Sequence, residues 1–265
     1  MNFEKEYYES NEFWIGDMVQ DQNNLVRIKI TIDSIPKDVN SIADIGCGNG
    51  VFINTLIRNN STCEIVGIDR SKTALKFVNG KTIVGSIDEI PLKDNSYDCV
   101  TCLEVIEHLP VNIYTKALEE ICRVSRKYII ISVPFNEKIE ENYNQCPSCL
   151  TIFNYDLHLR TFSKINIEKL LTEFGYTCIE IKTFGKSFKF KGHYLFRKLF
   201  YSKQFKQWKS PICPVCGYTN KKTEFSNRND SIAKRSIISY LTQVPKLFWP
   251  KEEKNYWILG VYKKK

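Results

Sequence analysis

A short apolar run that leads directly into three glycines at alternate positions is the feature that most constrains this chain. The run extends from Ser41 to Ile45, and Gly46, Gly48 and Gly50 follow it, with a helical pattern immediately behind them. Glycine allows the backbone to turn tightly and to approach a ligand closely. The stretch therefore predicts a strand, a ligand-binding turn and a helix.

A second apolar run ends at an acidic residue, Asp69, which lies 19 residues after Gly50. A carboxylate at the tip of a second strand is placed to accept hydrogen bonds from both hydroxyls of a ribose. The glycine spacing differs from the Gly-x-Gly-x-x-Gly of dinucleotide binders, and no Lys-Ser or Lys-Thr pair follows as in a P-loop. The phosphate cradle of P-loop proteins is therefore excluded.

Apolar runs and helical periods alternate along most of the chain, and this alternation predicts a parallel sheet with helices on both faces. The predicted strands are Ser41 to Ile45, Glu64 to Ile68, Thr82 to Val84, Asp98 to Leu103, Tyr128 to Val133, Cys178 to Phe184 and Tyr256 to Tyr262. The predicted helices are Met18 to Ile35, Val51 to Asn59, Asn112 to Val124 and Ser163 to Phe174.

These motifs resemble the class I S-adenosylmethionine (SAM)-dependent methyltransferases, and among them the type 11 domain. Residues 84–100 are similar to the adenine-side segment and fourth strand of that family, and residues 102–110 to the segment that follows the strand. The resemblance covers roughly residues 40–185 and the last ten residues. It implies a Rossmann-like α/β fold, a seven-stranded sheet of order 3-2-1-4-5-7-6 with an antiparallel strand 7, and SAM as cofactor.

The resemblance assigns cofactor binding to residues at the tips of the first four strands. Asp44 would fix the glycine loop or the methionine amino group, and Asp69 would hold the ribose hydroxyls. Ser86 stands where many relatives have an aspartate that accepts a hydrogen bond from adenine, so either its hydroxyl or Asp88 would make that contact. The assigned set is Asp44, Gly46, Cys47, Gly48, Asn49, Gly50, Asp69, Arg70, Ser86, Ile87 and Leu103.

Two residues just beyond the fourth predicted strand, Glu107 and His108, are the catalytic candidates. Methyl transfer from a sulfonium needs in-line positioning of the acceptor and, for a hydroxyl acceptor, removal of its proton. An imidazole is suited to proton transfer near neutral pH. The alternative is that His108 caps or packs the following helix.

Glu104, Glu107 and His108, together with His158, also resemble the metal-binding set of the RNA 3′-terminal 2′-O-methyltransferases. Residues three or four apart share a helix face, and oxygen and imidazole ligands suit Mg²⁺ or Mn²⁺. A Glu-His pair after the fourth strand is, however, common in small-molecule members of the wider family. Both interpretations stay open.

Two Cys-Pro-x-Cys pairs, Cys146 with Cys149 and Cys213 with Cys216, indicate a structural zinc site. Each pair presents two thiolates to one ion, and two pairs make a tetrahedral site. The first pair follows the fifth predicted strand and the second follows the sixth, so both leave the same edge of a parallel sheet. The alternatives are a redox dithiol and a disulfide pair.

A strongly basic and aromatic segment, residues 186–255, carries 16 Lys/Arg against 4 Asp/Glu. It predicts an insertion, zinc-linked to the loop 136–160, between residues 37–185 and 256–265 of the methyltransferase domain, with residues 1–36 as an N-terminal helical segment. Aromatic side chains within a basic surface suit RNA or an anionic membrane surface. A small zinc-pinned lid with solvated lysines is the alternative.

The sequence as a whole predicts an enzyme that methylates oxygen or nitrogen of a small or lipid-linked metabolite. The alternatives are an RNA 2′-O-methyltransferase with a metal-assisted site and a non-catalytic module that binds zinc and nucleic acid. No charged-then-apolar leader and no apolar run of membrane-spanning length is present, which predicts a cytoplasmic location.

Overall fold

The computed structural model describes Tyr8, Glu9, Trp14 and residues 22–190, 213–218 and 251–265. The chain divides into two compact units. The larger unit comprises residues 5–137, 158–185 and 255–265, and the smaller one comprises residues 1–4, 138–157 and 186–254. The domain boundaries predicted from the sequence stay a prediction.

A seven-stranded sheet of order β3-β2-β1-β4-β5-β9-β8 lies at the centre of the larger unit. The strands of the described residues are β1 (Ser41–Ile45), β2 (Glu64–Asp69), β3 (Lys81–Val84), β4 (Tyr97–Leu103), β5 (Ser125–Pro134), β6 (Tyr143–Gln145), β7 (Ile152–Asn154), β8 (Tyr176–Phe190) and β9 (Lys251–Lys264). Strands β1 to β5 pair in parallel, and β9 runs antiparallel to β5. The predicted fold and strand order are therefore confirmed, with β8 and β9 as the predicted sixth and seventh strands.

Helices connect the parallel strands, and their ends follow the expected capping chemistry. The helices of the described residues are α1 (Gln22–Asp33), α2 (Val51–Arg58), α3 (Lys72–Leu75), α4 (Val111–Val124) and α5 (Lys164–Lys169), with 3₁₀ turns at Ile106–His108, Ile139–Asn142 and Thr172–Phe174. Ser71 caps α3 by accepting a hydrogen bond from the amide of Ala74 at 3.0 Å. The helix predicted to continue to Phe174 ends earlier, at Lys169, and a 3₁₀ turn follows it.

Alternation along β5 distributes the core over both faces of the sheet, since successive strand residues point to opposite sides. Ile129 and Ile131 belong to a buried cluster with α4, whereas Ile130 belongs to a second cluster with α2. Each of these three isoleucines has no exposed surface. Burial on both faces leaves the carboxyl ends of the strands as the edge at which polar residues can gather.

The smaller unit contains a second, two-stranded sheet in the region that the sequence predicted to be a loop. Strands β6 and β7 pair antiparallel, with Asn144 opposite Phe153. The first cysteine pair lies in the turn between these strands. Among the described residues, no helix is long and apolar enough to span a bilayer.

Candidate functional site

The turn after β1 is held by hydrogen bonds to the end of the neighbouring strand β2. The amide of Gly46 donates to the carbonyl of Ile68 at 2.7 Å. The carboxylate of Asp69 accepts from the amide of Gly48 at 2.8 Å and from the amide of Ser71 at 2.8 Å. One acidic side chain thus connects the glycine turn to the start of α3, and both strand tips form one rigid edge.

An indole ring lies directly on the glycine turn. Gly48 has a φ of +53°, and a Cβ atom there would come within 2.8 Å of the ring of Trp14. The carbonyl of Trp14 accepts a hydrogen bond from the side-chain amide of Asn49 at 3.1 Å, and its indole N–H donates to the carbonyl of Tyr8 at 2.6 Å. Glycine is required here by both the backbone conformation and the close contact.

The same N-terminal residues reach the start of α3. Glu9 accepts hydrogen bonds from the amides of Lys72 and Thr73, each at 3.2 Å. The guanidinium of Arg70, a residue assigned to the cofactor, lies 5.1 Å from the ring centre of Tyr8. Tyr8, Glu9 and Trp14 could not be identified from the sequence because the apolar residues of this region show no helical or strand period. The aromatic composition of the region was the one available signal.

Two acidic side chains, the buried Asp44 and the half-buried Asp69, flank the glycine turn. Asp44 is 2% exposed and accepts a hydrogen bond from the hydroxyl of Thr101 at 2.7 Å. Burial raises the pKa of Asp44 to about 7, and burial also raises the pKa of Asp69. Carboxylates that are short of compensating charge favour a ligand that is cationic or rich in hydrogen-bond donors.

The structure places the remaining assigned cofactor residues at the carboxyl ends of the same strands. Gly50 begins helix α2 as its N-cap, and Cys47 is half-buried in the turn. Beyond β3, the hydroxyl of Ser86 donates to the carboxylate of Asp88, so the two candidates for the adenine contact are hydrogen-bonded to each other. Ile87 packs against one core cluster, and Leu103, the last residue of β4, packs against the other.

The two catalytic candidates lie in the 3₁₀ turn after β4. Glu107 is fully buried, and its Oε1 lies 3.9 Å from Nε2 of the half-buried His108. The rings of His108 and His158 meet edge to face with centres 4.8 Å apart, and Nδ1 of His158 is hydrogen-bonded to Glu137. Burial, reinforced by the charge of Glu104, raises the pKa of Glu107 well above its usual range.

Glu104 does not share a helix face with Glu107 and His108, so that prediction is wrong. Glu104 has a φ of +59° and lies outside the 3₁₀ turn. Its carboxylate accepts hydrogen bonds from Ser132 at 3.0 Å and from the indole of Trp257 at 2.7 Å. These partners hold Glu104 apart from the Glu107–His108–His158 group. Glu137, a partner of His158, was not identified from the sequence because only the fold brings it there.

The four cysteines of the two Cys-Pro-x-Cys pairs gather in the smaller unit. Their sulfur atoms all lie within 4.8 Å of one another. Sγ of Cys146 is 3.6 Å from Sγ of Cys216, and Sγ of Cys149 is 3.8 Å from Sγ of Cys213. A disulfide bond is about 2 Å long. The predicted disulfide alternative is therefore absent from this arrangement, in which all four are free thiols.

Comparison with known proteins agrees with the fold and with the glycine turn. Residues 43–131 match the family model described as a methyltransferase domain. An uncharacterised protein of Methanocaldococcus jannaschii is 35% identical over 127 residues, which are 46% of this chain and 52% of that protein. A ubiquinone biosynthesis O-methyltransferase of Thiobacillus denitrificans is 29% identical over 33% of this chain and 41% of its own length.

This chain thus spans about half, or less, of the length of these curated relatives. In fold, it is similar to a crystal structure of a SAM-dependent methyltransferase from Archaeoglobus fulgidus, with a TM-score of 0.56 and 17% identity over 96% of this chain and 100% of that one. The matched residues include the glycine turn, Asp69 and the Glu107–His108 pair. Residues 43–131 therefore match a methyltransferase domain, and the fold of the chain is similar to that of a SAM-dependent methyltransferase.

Proposed function

We propose that this protein is a SAM-dependent methyltransferase that acts on oxygen or nitrogen of a small or lipid-linked metabolite. The pairing of Asp44 and Asp69 around the glycine turn is the observation that carries the cofactor side of the proposal. The similarity to a ubiquinone biosynthesis O-methyltransferase supports a small-molecule acceptor.

The carboxylates of Asp44 and Asp69 suit the two polar ends of SAM. Asp69 already accepts two backbone N–H groups and has further lone pairs for ribose hydroxyls. Asp44 lies beneath the turn, where a charged amino group would relieve the burial of its carboxylate. The cofactor supplies an activated methyl group, and these side chains orient it toward the acceptor.

We assign proton removal from a hydroxyl acceptor to the Glu107 and His108 pair. Both follow β4 at the carboxyl edge of the sheet, where ligands of this fold class bind. Because burial raises the pKa of Glu107, this carboxyl group is suited to keep a proton at neutral pH, and removal of the acceptor's proton falls to His108. His108 is the more accessible member, with 23% of its side chain exposed, and it is therefore the one placed to meet an acceptor.

The cofactor assignment is tested by titrating SAM into the protein in a calorimeter. Asp69→Ala removes the ribose acceptors, and we expect the affinity for SAM to fall by at least about tenfold, as loss of hydrogen bonds to a charged group predicts. Asp33→Ala, at an exposed carboxylate at the end of α1, is the matched control and should bind like the wild type. Equal affinity of all three proteins would refute the role of Asp69.

The acceptor class is tested by incubating the protein with labelled SAM and fractions of a cell extract. We expect label in the small-molecule or lipid fraction. His108→Gln should lower that transfer while SAM binding stays intact, because the substitution removes a proton acceptor and leaves the turn in place. Transfer of label to RNA instead would replace this proposal with the RNA 2′-O-methyltransferase alternative.

We further propose that the four cysteines bind one structural Zn²⁺. A tetrahedral ion with Zn–S bonds of about 2.3 Å holds its sulfurs about 3.8 Å apart. The two measured sulfur distances, 3.6 and 3.8 Å, fit that value. Zinc of this kind contributes directly to the folding free energy of a small unit.

The two cysteine turns have the same backbone geometry, which supports this assignment. In the first, the amide of Leu150 donates to the carbonyl of Cys146 at 3.0 Å, and Leu150 has a φ of +61°. In the second, the amide of Gly217 donates to the carbonyl of Cys213 at 3.0 Å, and Gly217 has a φ of +69°. Two such turns facing each other each present a pair of thiolates to one ion.

Metal analysis of the purified protein tests the zinc proposal. We expect about one Zn²⁺ per chain in the wild type, and loss of most of it in Cys149→Ser. Cys178→Ser, at a half-buried cysteine of β8, is the control and should keep its zinc. Metal-free wild-type protein that retains protection of the 143–154 amides from hydrogen exchange would contradict a structural role for zinc.

A further inference from the structure

A cavity of about 390 Å³ opens between the start of α4 and helix α5 in the larger unit. Its lining includes Tyr114 of α4, Arg160 and Phe162 from the segment before α5, and side chains of α5 itself. None of the residues assigned to SAM lines this cavity, and neither Glu107 nor His108 does. A cavity of this size is large enough for a small organic molecule, and the candidate site described above does not use it.

Arg160 contributes a half-buried cation to this cavity. Its Nη1 donates to the carbonyl of Ile106 at 2.7 Å, and its Cζ lies 3.8 Å from the ring centre of Tyr114. No carboxylate of the described residues forms an ion pair with it. A guanidinium has five N–H donors, so those that do not contact Ile106 are available to an acceptor in the cavity. Burial lowers the pKa of Arg160, because the charged form loses hydration, and a bound anion would compensate for that loss.

Helix α5 adds a second cation and a side-chain amide. Asn166 and Lys169 are three positions apart and therefore lie on one face of the helix, and both line the cavity. Oδ1 of Asn166 accepts a hydrogen bond from the amide of Ser163 at 2.9 Å, whereas its Nδ2 has no partner among the described residues. Lys169 likewise forms no ion pair with any described carboxylate. The cavity thus offers hydrogen-bond donors and positive charge to a ligand.

Apolar side chains form a further part of the lining. Phe162 is 3% exposed and belongs to a core cluster, and the half-buried Leu170 packs against the same cluster. Ile165 also lines the cavity, with 63% of its surface exposed. Because removal of apolar surface from water stabilises a bound ligand, the cavity suits a molecule that has an apolar part beside an anionic part.

Glu173 is the one acidic residue in the lining, against the two cations Arg160 and Lys169. It is exposed in the 3₁₀ turn Thr172–Phe174, where water and salt screen its charge. The charge of the half-buried Arg160 is screened less. The cavity therefore favours an anion over a cation, and the charge of Glu173 opposes that anion.

Backbone hydrogen bonds hold the segment before α5 in place. The amide of Leu159 donates to the carbonyl of Glu107 at 2.8 Å, and the amide of Asn136 donates to the carbonyl of Phe162 at 2.9 Å. Together with the contact from Arg160 to the turn after β4, these bonds fix both ends of residues 159–162. A ligand therefore meets a wall that is already formed, which reduces the entropy lost on binding.

We propose that this cavity binds a phosphomonoester that carries an apolar group. Arg160 and Lys169 hold the phosphate, Asn166 donates a further hydrogen bond, and Phe162 and Leu170 contact the apolar group. Two cations match the charge of a phosphomonoester, which is between −1.5 and −2 near neutral pH (about −2 when fully ionised), better than they match the single charge of a carboxylate. The cavity is separate from the glycine turn, so binding here does not depend on the proposed function.

Hexyl phosphate, a soluble phosphomonoester with a short alkyl chain, is the probe for a calorimetric titration of the full chain. We expect it to bind at least about tenfold more tightly than inorganic phosphate, because its chain contacts the apolar lining. Arg160→Gln should weaken its binding by at least about tenfold, and Lys169→Gln, at an exposed side chain, by about two- to fivefold. Glu173→Gln should strengthen binding by about two- to fivefold, a gain that a folding defect cannot produce.

Arg58→Gln, at an exposed arginine that ends α2, removes the same charge elsewhere and should bind hexyl phosphate as the wild type does. Two-dimensional NMR of the same titration locates the probe. The amide signals of residues 160–170 should shift, and those of the glycine turn should not. Shifts confined to the basic segment 186–255 would contradict the proposal.

Sedimentation with vesicles distinguishes a lipid headgroup from a soluble phosphomonoester. Binding to vesicles that contain phosphatidic acid, but not to phosphatidylcholine alone, with loss of binding in Arg160→Gln, would support the cavity and identify a lipid as its ligand. Binding of hexyl phosphate without binding to either vesicle would support a soluble ligand. Absence of hexyl phosphate binding by the wild type, or equal affinity of Arg160→Gln, would overturn the proposal while leaving SAM binding and the proposed function untouched.

Discussion

Replacement of Asp44 by asparagine should stabilise the cofactor-free protein at neutral pH and should do so in a pH-dependent way. Asp44 is 2% exposed, and its pKa rises from 3.8 to about 7 on folding. Each pKa unit corresponds to about 1.4 kcal/mol, so the charged form is penalised by at most about 4 kcal/mol. The amide keeps an acceptor for Thr101, but its new NH₂ group costs about 1 kcal/mol if it finds no partner. We expect a net gain of about 2–3 kcal/mol.

The sign of the pH dependence follows from proton binding. Between pH 4 and pH 7 the folded wild type keeps a proton on Asp44 that the unfolded chain has lost. The free energy of unfolding therefore falls as pH rises through this window, and it stays low above it. The stabilisation of Asp44→Asn over the wild type should be small near pH 4 and full near pH 8. The charges of Arg27 and Asp69 act on Asp44 and are unchanged by the substitution.

Urea unfolding at intervals from pH 4 to pH 8, without cofactor, measures this difference directly. Asp33→Asn, at an exposed position of α1, is the control and should track the wild type at every pH. A stability difference between Asp44→Asn and the wild type that does not change with pH would refute the argument from burial. Under the proposed function, the same variant should bind SAM more weakly, because stability and ligand binding compete at such sites.

Substitutions at Gly50 and at Trp14 test the geometry of the glycine turn. Gly50→Ala should lower the free energy of unfolding by about 1–3 kcal/mol, since φ is +73° and the new Cβ would lie 2.8 Å from Val78. Gly175→Ala is the control, with a φ of +83° but no atom within 4 Å of the new Cβ. Its free energy of unfolding should fall less in the same urea titration. Trp14→Phe should lower the free energy of unfolding by about 1 kcal/mol because the hydrogen bond to Tyr8 is removed, and Trp14→Ala should lower it further. Equal unfolding curves for both Trp14 variants would show that the ring does not support the turn.

The central strands could be predicted closely because burial on both faces leaves a clear trace in the sequence. The run Ser41–Ile45 was predicted with the limits that the structure has. β-branched residues in short apolar runs between helical patterns are typical of parallel strands. The cysteine cluster was also predictable from the sequence, since the spacing within each Cys-Pro-x-Cys pair identifies the two cysteines that act together.

Features that depend on contacts distant in sequence could not be predicted in this way. The strands β6 and β7 have three residues each and no apolar alternation long enough to detect. Trp14 reaches the glycine turn across 35 residues, and a side chain in an aperiodic segment gives no sign of its partner. Glu104 has the spacing of a helix face, but the hydrogen bonds from Ser132 and Trp257 draw it elsewhere. The spacing of residues along the chain therefore does not predict side-chain positions that are determined by tertiary contacts.

The position of β9 has a consequence for how the protein is made. This strand is the last of the nine described strands to leave the ribosome, yet it is inserted between β5 and β8 in the interior of the sheet. Until it arrives, the nascent chain has two unpaired strand edges that could pair with other chains. Deletion of residues 255–265 should therefore produce aggregation during synthesis rather than a shortened enzyme, which pulse-labelling with sedimentation would detect.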